Sequence, residues 1–253
     1  MQFDFDRIAD VFDSTRTSDP RLIDSVAKGI ADLLGEGSKL LDIGTGTGRF
    51  LSAIEKNDVD GYGLDLSRNM LMKAREKGII NLVQGNATKL PFQDRRFDGV
   101  LMTSLLHLVD DWKEVIREAC RVSNRAVISI DVGRKPLNPF LIFKEIMRER
   151  GFDVPQKGPY ETDLSKECRP NKSIDLIRYQ EILDREDMLA KYEQKSFTFQ
   201  SSLTAEENHS CVEEMRRRFE DEKILIDWDV SLLVWTPEEL IEQLAGTTFC
   251  YPY

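Results

Sequence analysis

Residues 39–54 read KLLDIGTGTGRFLSAI. An apolar run ends at Asp42-Ile43, three glycines follow at alternate positions, and helical spacing then resumes. Glycine enters left-handed backbone conformations without the steric penalty other residues carry. Gly44, Gly46 and Gly48 therefore mark a tight exit from a buried strand into a helix, the place where a parallel α/β sheet holds a ligand. Downstream, Asp65 stands where a carboxylate at the tip of a second strand can hold a ribose diol. Backbone geometry alone would also explain such glycines, so the spelling has to narrow the ligand. A nicotinamide dinucleotide turn reads GxGxxG, which from Gly44 requires glycine at 49. Arg49 occupies that position, with Gly48 one place early. No GK[ST] follows to make a phosphate loop. Glycines crowded at the strand exit suit backbone amides meeting a small zwitterion rather than a diphosphate.

Outward from this turn, strand-like and helix-like segments alternate from Ser38 to Asp131. LLDI (40–43), GYGLDL (61–66), INLVQG (80–85), FDGVLMTS (97–104) and AVISID (126–131) read as strands. A helix is expected from about Gly48 to Lys56. Another is capped by Ser67, runs through Met70, Ala74 and Lys77, and stops at Gly78. Trp112, Val115, Ile116, Ala119 and Val122 recur at helical spacing. This alternation implies a parallel sheet with right-handed crossovers. After Asp131 the rhythm breaks. Asn138-Pro139 opens a helix that closes at Gly151, and the polar, proline-rich 152–173 reads as a loop or part of a cap. RYQEILD (178–184) and KSFTFQS (195–201) read as strands. LTAEENHSCVEEMRRRF (203–219) reads as a helix, and KILIDWDVSLLVW (223–235) as a strand or hairpin.

The 253-residue chain is long enough for a sizeable core, and 41% hydrophobic with 32% charged residues is ordinary for a soluble protein. A formal charge of −10 argues against a phosphate-tracking surface. Arg216-Arg217-Arg218 is the nearest basic patch, and a solvated helix face explains it. Cys120, Cys168, Cys211 and Cys250 lack CxxC spacing, and two histidines, His107 and His209, are too far apart to complete a metal site. The N-terminus lacks a signal-peptide pattern, and the apolar run 100–109 is too short and too polar to span a membrane. A cytoplasmic protein with reduced thiols is expected.

Four segments, LLDIGTGTGRF, GLDLSRNMLMKAR, GNATKLPFQDRRFDGVLMTSLLHLVDDWKEVIREACRV and AVISID, together resemble the class I S-adenosylmethionine (SAM)-dependent methyltransferases. Within these they are similar to the methyltransferase type 11 branch that includes ubiquinone and menaquinone biosynthesis enzymes. The resemblance covers about residues 36–132. It implies an α/β, Rossmann-like, doubly wound, mostly parallel seven-stranded sheet with helices on both faces and a C-terminal elaboration. The expected organisation is one methyltransferase domain over 1–253: N-terminal lid helices in 1–35, a cofactor-binding core in 36–132, and a substrate-side elaboration with the remaining strands in 133–253. By the same resemblance Gly44, Thr45, Gly46 and Gly48 line the amino-acid end of SAM, and Asp42 acts on its ammonium. Asp65 grips the ribose, and Leu66 lies against the adenine. At GNA (85–87) the usual aspartate is replaced by Asn86, whose amide oxygen would accept from the adenine amino group, beside Ala87. Ser104 and His107 border the methyl-transfer pocket in relatives, although His107 in LLHLV would also serve simply to pack. FDRIADVFDSTR resembles a lid helix, with Phe3 or Phe5 and Phe12 replacing tyrosines, so that Phe12, Asp13 and Arg16 would close the site.

Methyl transfer from a sulfonium is an in-line displacement and needs a general base only if the acceptor arrives protonated. Candidate proton acceptors are His107, His209 and Tyr160, and the sequence contains no evident catalytic dyad. Phe140, Phe143, Tyr160, Phe197, Phe199, Trp228 and Trp235 would line an apolar acceptor pocket or form a satellite core. The expected product is S-adenosylhomocysteine (SAH) and the expected partner a small organic acceptor. A tRNA or protein methyltransferase, and a non-catalytic cofactor-binding protein, stay open as alternatives.

Overall fold

The computed structural model describes residues 5–10, 12–15, 19–135 and 138–247. Seven strands form a single sheet in the order β3-β2-β1-β4-β5-β7-β6. They are β1 (Lys39–Ile43), β2 (Asp60–Asp65), β3 (Leu82–Gln84), β4 (Phe97–Met102), β5 (Ser123–Lys135), β6 (Lys172–Asp184) and β7 (Lys223–Trp235). β7 runs antiparallel to both β5 and β6, and every other pairing is parallel. Leu40, Leu41 and Ile43 of β1 are fully buried. Each such side chain contributes about 1.5–3 kcal/mol relative to exposure, which is why this short strand sits at the centre.

Helices cover both faces. On one, Pro20–Leu34 buries Leu22, Val26, Ala27, Ile30 and Leu34, and its first turn is capped by Asp19 accepting from Arg21 N at 2.8 Å. On the other, Trp112–Val122 buries the five apolar positions that its spacing marks out. The chain leaves β1 for β2 on one side while β4 pairs on the other, so the strand order reverses beside β1. A doubly wound sheet opens a ligand crevice at such a switch point, beyond the carboxyl ends of the strands. Register fixes what meets there. Ile43 is level with Leu64 of β2 and Met102 of β4, and Asp65 is level with Gln84 of β3. The residues that follow these strands, Gly44, Leu66, Gly85 and Thr103, thus start from one edge.

Several expected elements change. The helix after the glycine turn begins at Leu51, and a 3-10 turn, Glu55–Asn57, continues it. Residues 152–173, read as a loop or part of a cap, contain the helix Glu161–Glu167 and the start of β6, which begins six residues before the predicted strand RYQEILD. KSFTFQS is not a strand. It holds a 3-10 turn, Thr198–Ser202, because the fully buried Gln200 donates to Tyr192 O at 2.8 Å and Asn208 Oδ1 at 2.7 Å. The same side chain accepts from Phe197 N. A buried amide satisfied on every side holds the backbone in a turn that alternating phenylalanines alone would not predict.

The cap aromatics do not form a separate satellite core but extend the main one, Phe143, Tyr192, Phe199 and Trp228 joining the cluster that holds Val26, Ile30 and Leu40. Phe140, Phe143, Tyr192, Phe197 and Phe199 meet in edge and stacked contacts with ring centroids 4.7–6.2 Å apart. Trp235 is fully buried and donates from Nε1 to Cys168 O. The basic triplet is consumed by ion pairs, Arg216 with Glu186, Arg217 with Glu214 and Arg218 with Glu149. Cys120, Cys168 and Cys211 are buried free thiols, and Cys250 lies outside the described residues. Among the described residues no helix is long and apolar enough to cross a membrane.

Candidate active site

A cavity of about 480 Å³ opens at the tips of β1, β2, β3 and β4. Its wall contains Asp42, Gly44, Thr45, Gly46, Asp65, Leu66, Asn86, Ala87, Ser104 and His107, brought together from four separate strand ends. Gly48 is absent from that wall. At φ +70°, a Cβ there would stand 2.2 Å from Ile79 Cδ1 and 3.1 Å from Ala74 Cβ. Gly48 thus lets the turn pack against the neighbouring helix and does not line the ligand space. Gly46, at φ +57°, would place a Cβ with nothing within 4 Å, on open cavity.

Asp65 is the hinge of the site. Its Oδ2 accepts from Gly46 N and its Oδ1 from Ser67 N, each at 2.8 Å. A carboxylate offers about four acceptor positions, and even with the Leu66 amide also acting on it the group keeps capacity for a further donor. Burial pushes this carboxyl up, opposed by the amides of Ser67 and Gly46. Asp42, only 4% exposed, is raised by burial to about 7, with the Thr45 hydroxyl holding it down and the Asp65 charge adding to the rise. Beside them Leu66 is 58% exposed at the cavity wall. An apolar side chain left in water at a pocket edge is a surface for a flat ring.

Asn86 stands where expected, but its amide oxygen is already committed. Oδ1 accepts from both Thr88 N and Thr88 Oγ1 at 3.0 Å, which takes both lone pairs. An adenine amino group would therefore meet an oxygen that Thr88 already engages. The uncommitted group of Asn86 is its amide nitrogen, a donor. Ser104 adopts φ +54°, unusual for a residue with a side chain, at the cavity wall. Next to it, Thr103 Oγ1 is buried with no hydrogen-bond partner among the described residues.

The N-terminal segment lies over this cavity, and Phe5 and Phe12 join its wall. Three acidic residues fasten it. Asp6 accepts from Ser67 Oγ and Asn69 N, Asp10 pairs with Lys73, and Asp13 pairs with Lys77 and accepts from Thr47 Oγ1. Phe3 and Arg16 lie outside the described residues. Of the other proton-acceptor candidates, His209 is exposed beside Glu193, away from the cavity, and Tyr160 lies behind the wall. None of the seven cap aromatics lines the cavity. On that side it is walled by Gln156, Lys157, Thr198 and Ser201, which sequence reasoning missed because nothing local marks these scattered polar residues.

The sheet order, with its reversed seventh strand, and the glycine turn facing an acidic strand tip define the class I SAM-dependent methyltransferase fold. The sequence comparison agrees with that fold: residues 41–128 match the family model described as a methyltransferase domain. The chain is 35% identical over 130 residues to a demethylmenaquinone methyltransferase of Shouchella clausii, an alignment covering 44% of this chain and 54% of that one. A second demethylmenaquinone methyltransferase, from Anoxybacillus flavithermus, is 39% identical over 97 residues, 35% of this chain and 41% of its own. The chain thus spans about half the length of the curated relatives it matches. A SAM-dependent methyltransferase from Thermotoga maritima shares the fold, with a TM-score of 0.54 at 17% identity over 91% of this chain and 97% of that one.

Proposed function

We propose that this protein transfers a methyl group from SAM to a small organic acceptor by in-line displacement. The observation that carries this reading is Asp65, a half-buried carboxylate anchored by the amides of Gly46 and Ser67 at the cavity wall, beside the glycine turn and the exposed Leu66. A ribose diol and an adenine satisfy both. Asp42, a buried carboxyl without a basic partner among the described ion pairs, suits the ammonium of the amino-acid end. Thr103 Oγ1 supplies an orphaned polar atom on the same wall.

Bound there, SAM would supply an electrophilic methyl on a positively charged sulfur. The residues of this chain hold and orient it. Gly44 and Gly46 keep the backbone low, Asp65 fixes the ribose, and Asn86 donates toward the adenine ring nitrogens. Phe5 and Phe12 exclude water from above. Alignment at about 3–3.5 Å supplies roughly 7–11 kcal/mol of such a barrier in favourable cases. The volume of 480 Å³ lies in the lower half of the range for one drug-sized ligand, so with SAM seated only a small acceptor fits. The acceptor-side residues 156, 157, 198 and 201 lie beyond the matched segment 41–128. The quinone substrate in the relatives' names therefore does not carry over with the match.

Isothermal titration with SAM and SAH tests the reading. One-to-one binding is expected, and Asp65→Ala should weaken it by about 1.5–3 kcal/mol, or about 10–150-fold. Wild-type protein that binds neither compound would discard it.

A further inference from the structure

We propose that the acceptor is a small molecule presenting a phenolic or enolic hydroxyl, and that His107 takes its proton, held in place by residues 157–161 and Lys144. This rests on the methyl-transfer reading above and adds to it the acceptor class and the proton acceptor.

His107 is 8% exposed and forms part of the cavity wall. It sits in the 3-10 turn Leu106–Leu108 directly after the strained Ser104, and one segment of the cap grips this turn from several directions. Glu161, 5% exposed, accepts from Leu105 N at 2.8 Å and Leu106 N at 3.4 Å. Lys157 N donates to His107 O at 3.0 Å, while the Lys157 ammonium pairs with Asp110. Gly158 lets the two segments touch, since a Cβ there would stand 2.2 Å from Leu106 O. The Tyr160 ring stacks on the imidazole, with centroids 4.3 Å apart and planes inclined at 27°.

Behind Tyr160 stands Lys144. It is 2% exposed and donates from Nζ to Tyr160 Oη at 2.5 Å, with the rings of Phe140, Tyr160 and Phe199 within 4.3–5.6 Å. No carboxylate pairs with it among the described residues. Burial lowers it to about 8, with the charge of Arg148 acting in the same direction and Asp163 opposing.

Burying an ammonium and a carboxyl behind one cavity wall is costly, and apolar residues of similar volume would pack there more cheaply. Polar groups spent on fixing another side chain's rotamer are what a working site needs around it. Lys144, Tyr160 and Glu161 are therefore positioning residues, and the group they position is His107. Competing bases are otherwise engaged. Asp42 and Asp65 lie at the cofactor end, while Asp110, paired with Lys157, and Asp111 lie at the exposed rim.

An imidazole so supported is needed only if the acceptor arrives with its proton, as a hydroxyl does. In the step, a lone pair of the acceptor oxygen forms the new bond to the methyl carbon. The electron pair of the carbon–sulfur bond returns to sulfur, and the hydroxyl proton passes to His107 and then to solvent. Gln156, Thr198 and Ser201 offer neutral hydrogen-bonding groups on the same side of the cavity.

The test compares two phenols with isotopically labelled SAM near neutral pH: 4-methylphenol, which arrives protonated, and 4-nitrophenol, which arrives largely ionised. His107→Gln should cost about 10²–10⁴-fold with 4-methylphenol and only a few-fold with 4-nitrophenol. Tyr160→Leu should lower kcat at least tenfold with KM for SAM unchanged, and Tyr160→Phe, which keeps the stacked ring but loses the hydrogen bond from Lys144, should recover part of that loss. Adding 4-nitrophenol to the SAH complex should shift the imidazole NMR signal of His107, identified by its persistence in His209→Gln. Equal losses with both phenols, no recovery by phenylalanine, or no methylation of either phenol by wild-type protein that binds SAH would overturn the proposal. Wild-type protein that fails to bind SAH would instead overturn the methyl-transfer reading itself.

Discussion

Asp42→Asn is expected to stabilise the ligand-free protein at pH 8 by about 2–4 kcal/mol and to leave its stability near pH 4 almost unchanged. Burial raises this carboxyl to about 7 from an ordinary 3.8. A difference of about three pH units, at about 1.4 kcal/mol each, amounts to about 4 kcal/mol. The folded carboxyl binds its proton more tightly than the unfolded one. Its contribution to stability is therefore present below about pH 4 and is lost as the pH rises through 7. Asparagine cannot ionise and removes that loss, less the cost of pairing its amide. Urea unfolding of both proteins at pH 4.5 and pH 8 checks this, and an equal difference at the two pH values would contradict it. The same substitution should weaken SAM binding, because the ammonium loses its counter-charge. In the wild type that affinity should rise with pH through about 7, as Asp42 ionises. A charge so expensive to bury in the empty protein is what a site pre-organised for a cation requires.

Gly48→Ala should cost about 2–5 kcal/mol of stability. The left-handed conformation at φ +70° accounts for about 1–2 kcal/mol, and forcing a Cβ to 2.2 Å from Ile79, itself fully buried, adds about 1–3. Against total stabilities of about 5–15 kcal/mol this is a large fraction. Gly46→Ala is the contrasting substitution. It carries the same conformational cost of about 1–2 kcal/mol, but its Cβ meets no protein atom within 4 Å and protrudes into the ligand space. Thermal unfolding should single out Gly48→Ala, and SAH titration should single out Gly46→Ala. If both lost binding and stability in equal measure, the division of labour within the turn would be wrong.

This division shows where a sequence stops being readable. The turn, Asp65 and Leu66 are legible because strand tip, glycines and acid lie within one βαβ unit, whose periodicity fixes their relative positions. Which glycine faces the cavity and which faces the helix is not legible, because Ile79 reaches Gly48 only through tertiary packing. For Asn86 a signal did exist: a threonine two residues on is the ordinary partner of an asparagine side chain in a turn. The alternating phenylalanines 197 and 199 read as a strand because buried Gln200, which turns the backbone, finds its partners in Tyr192 and Asn208. The support around His107 is wholly non-local. Glu161 lies 56 residues from the Leu105 amide it holds, and no pattern along the chain joins them.

A crystal of this protein soaked with SAH tests the central claim most directly. The ribose hydroxyls are expected on the Asp65 carboxylate, the adenine against Leu66, and the amino group beside Asp42. An empty crevice at the ends of β1 and β2, or the nucleoside seated elsewhere, would contradict it.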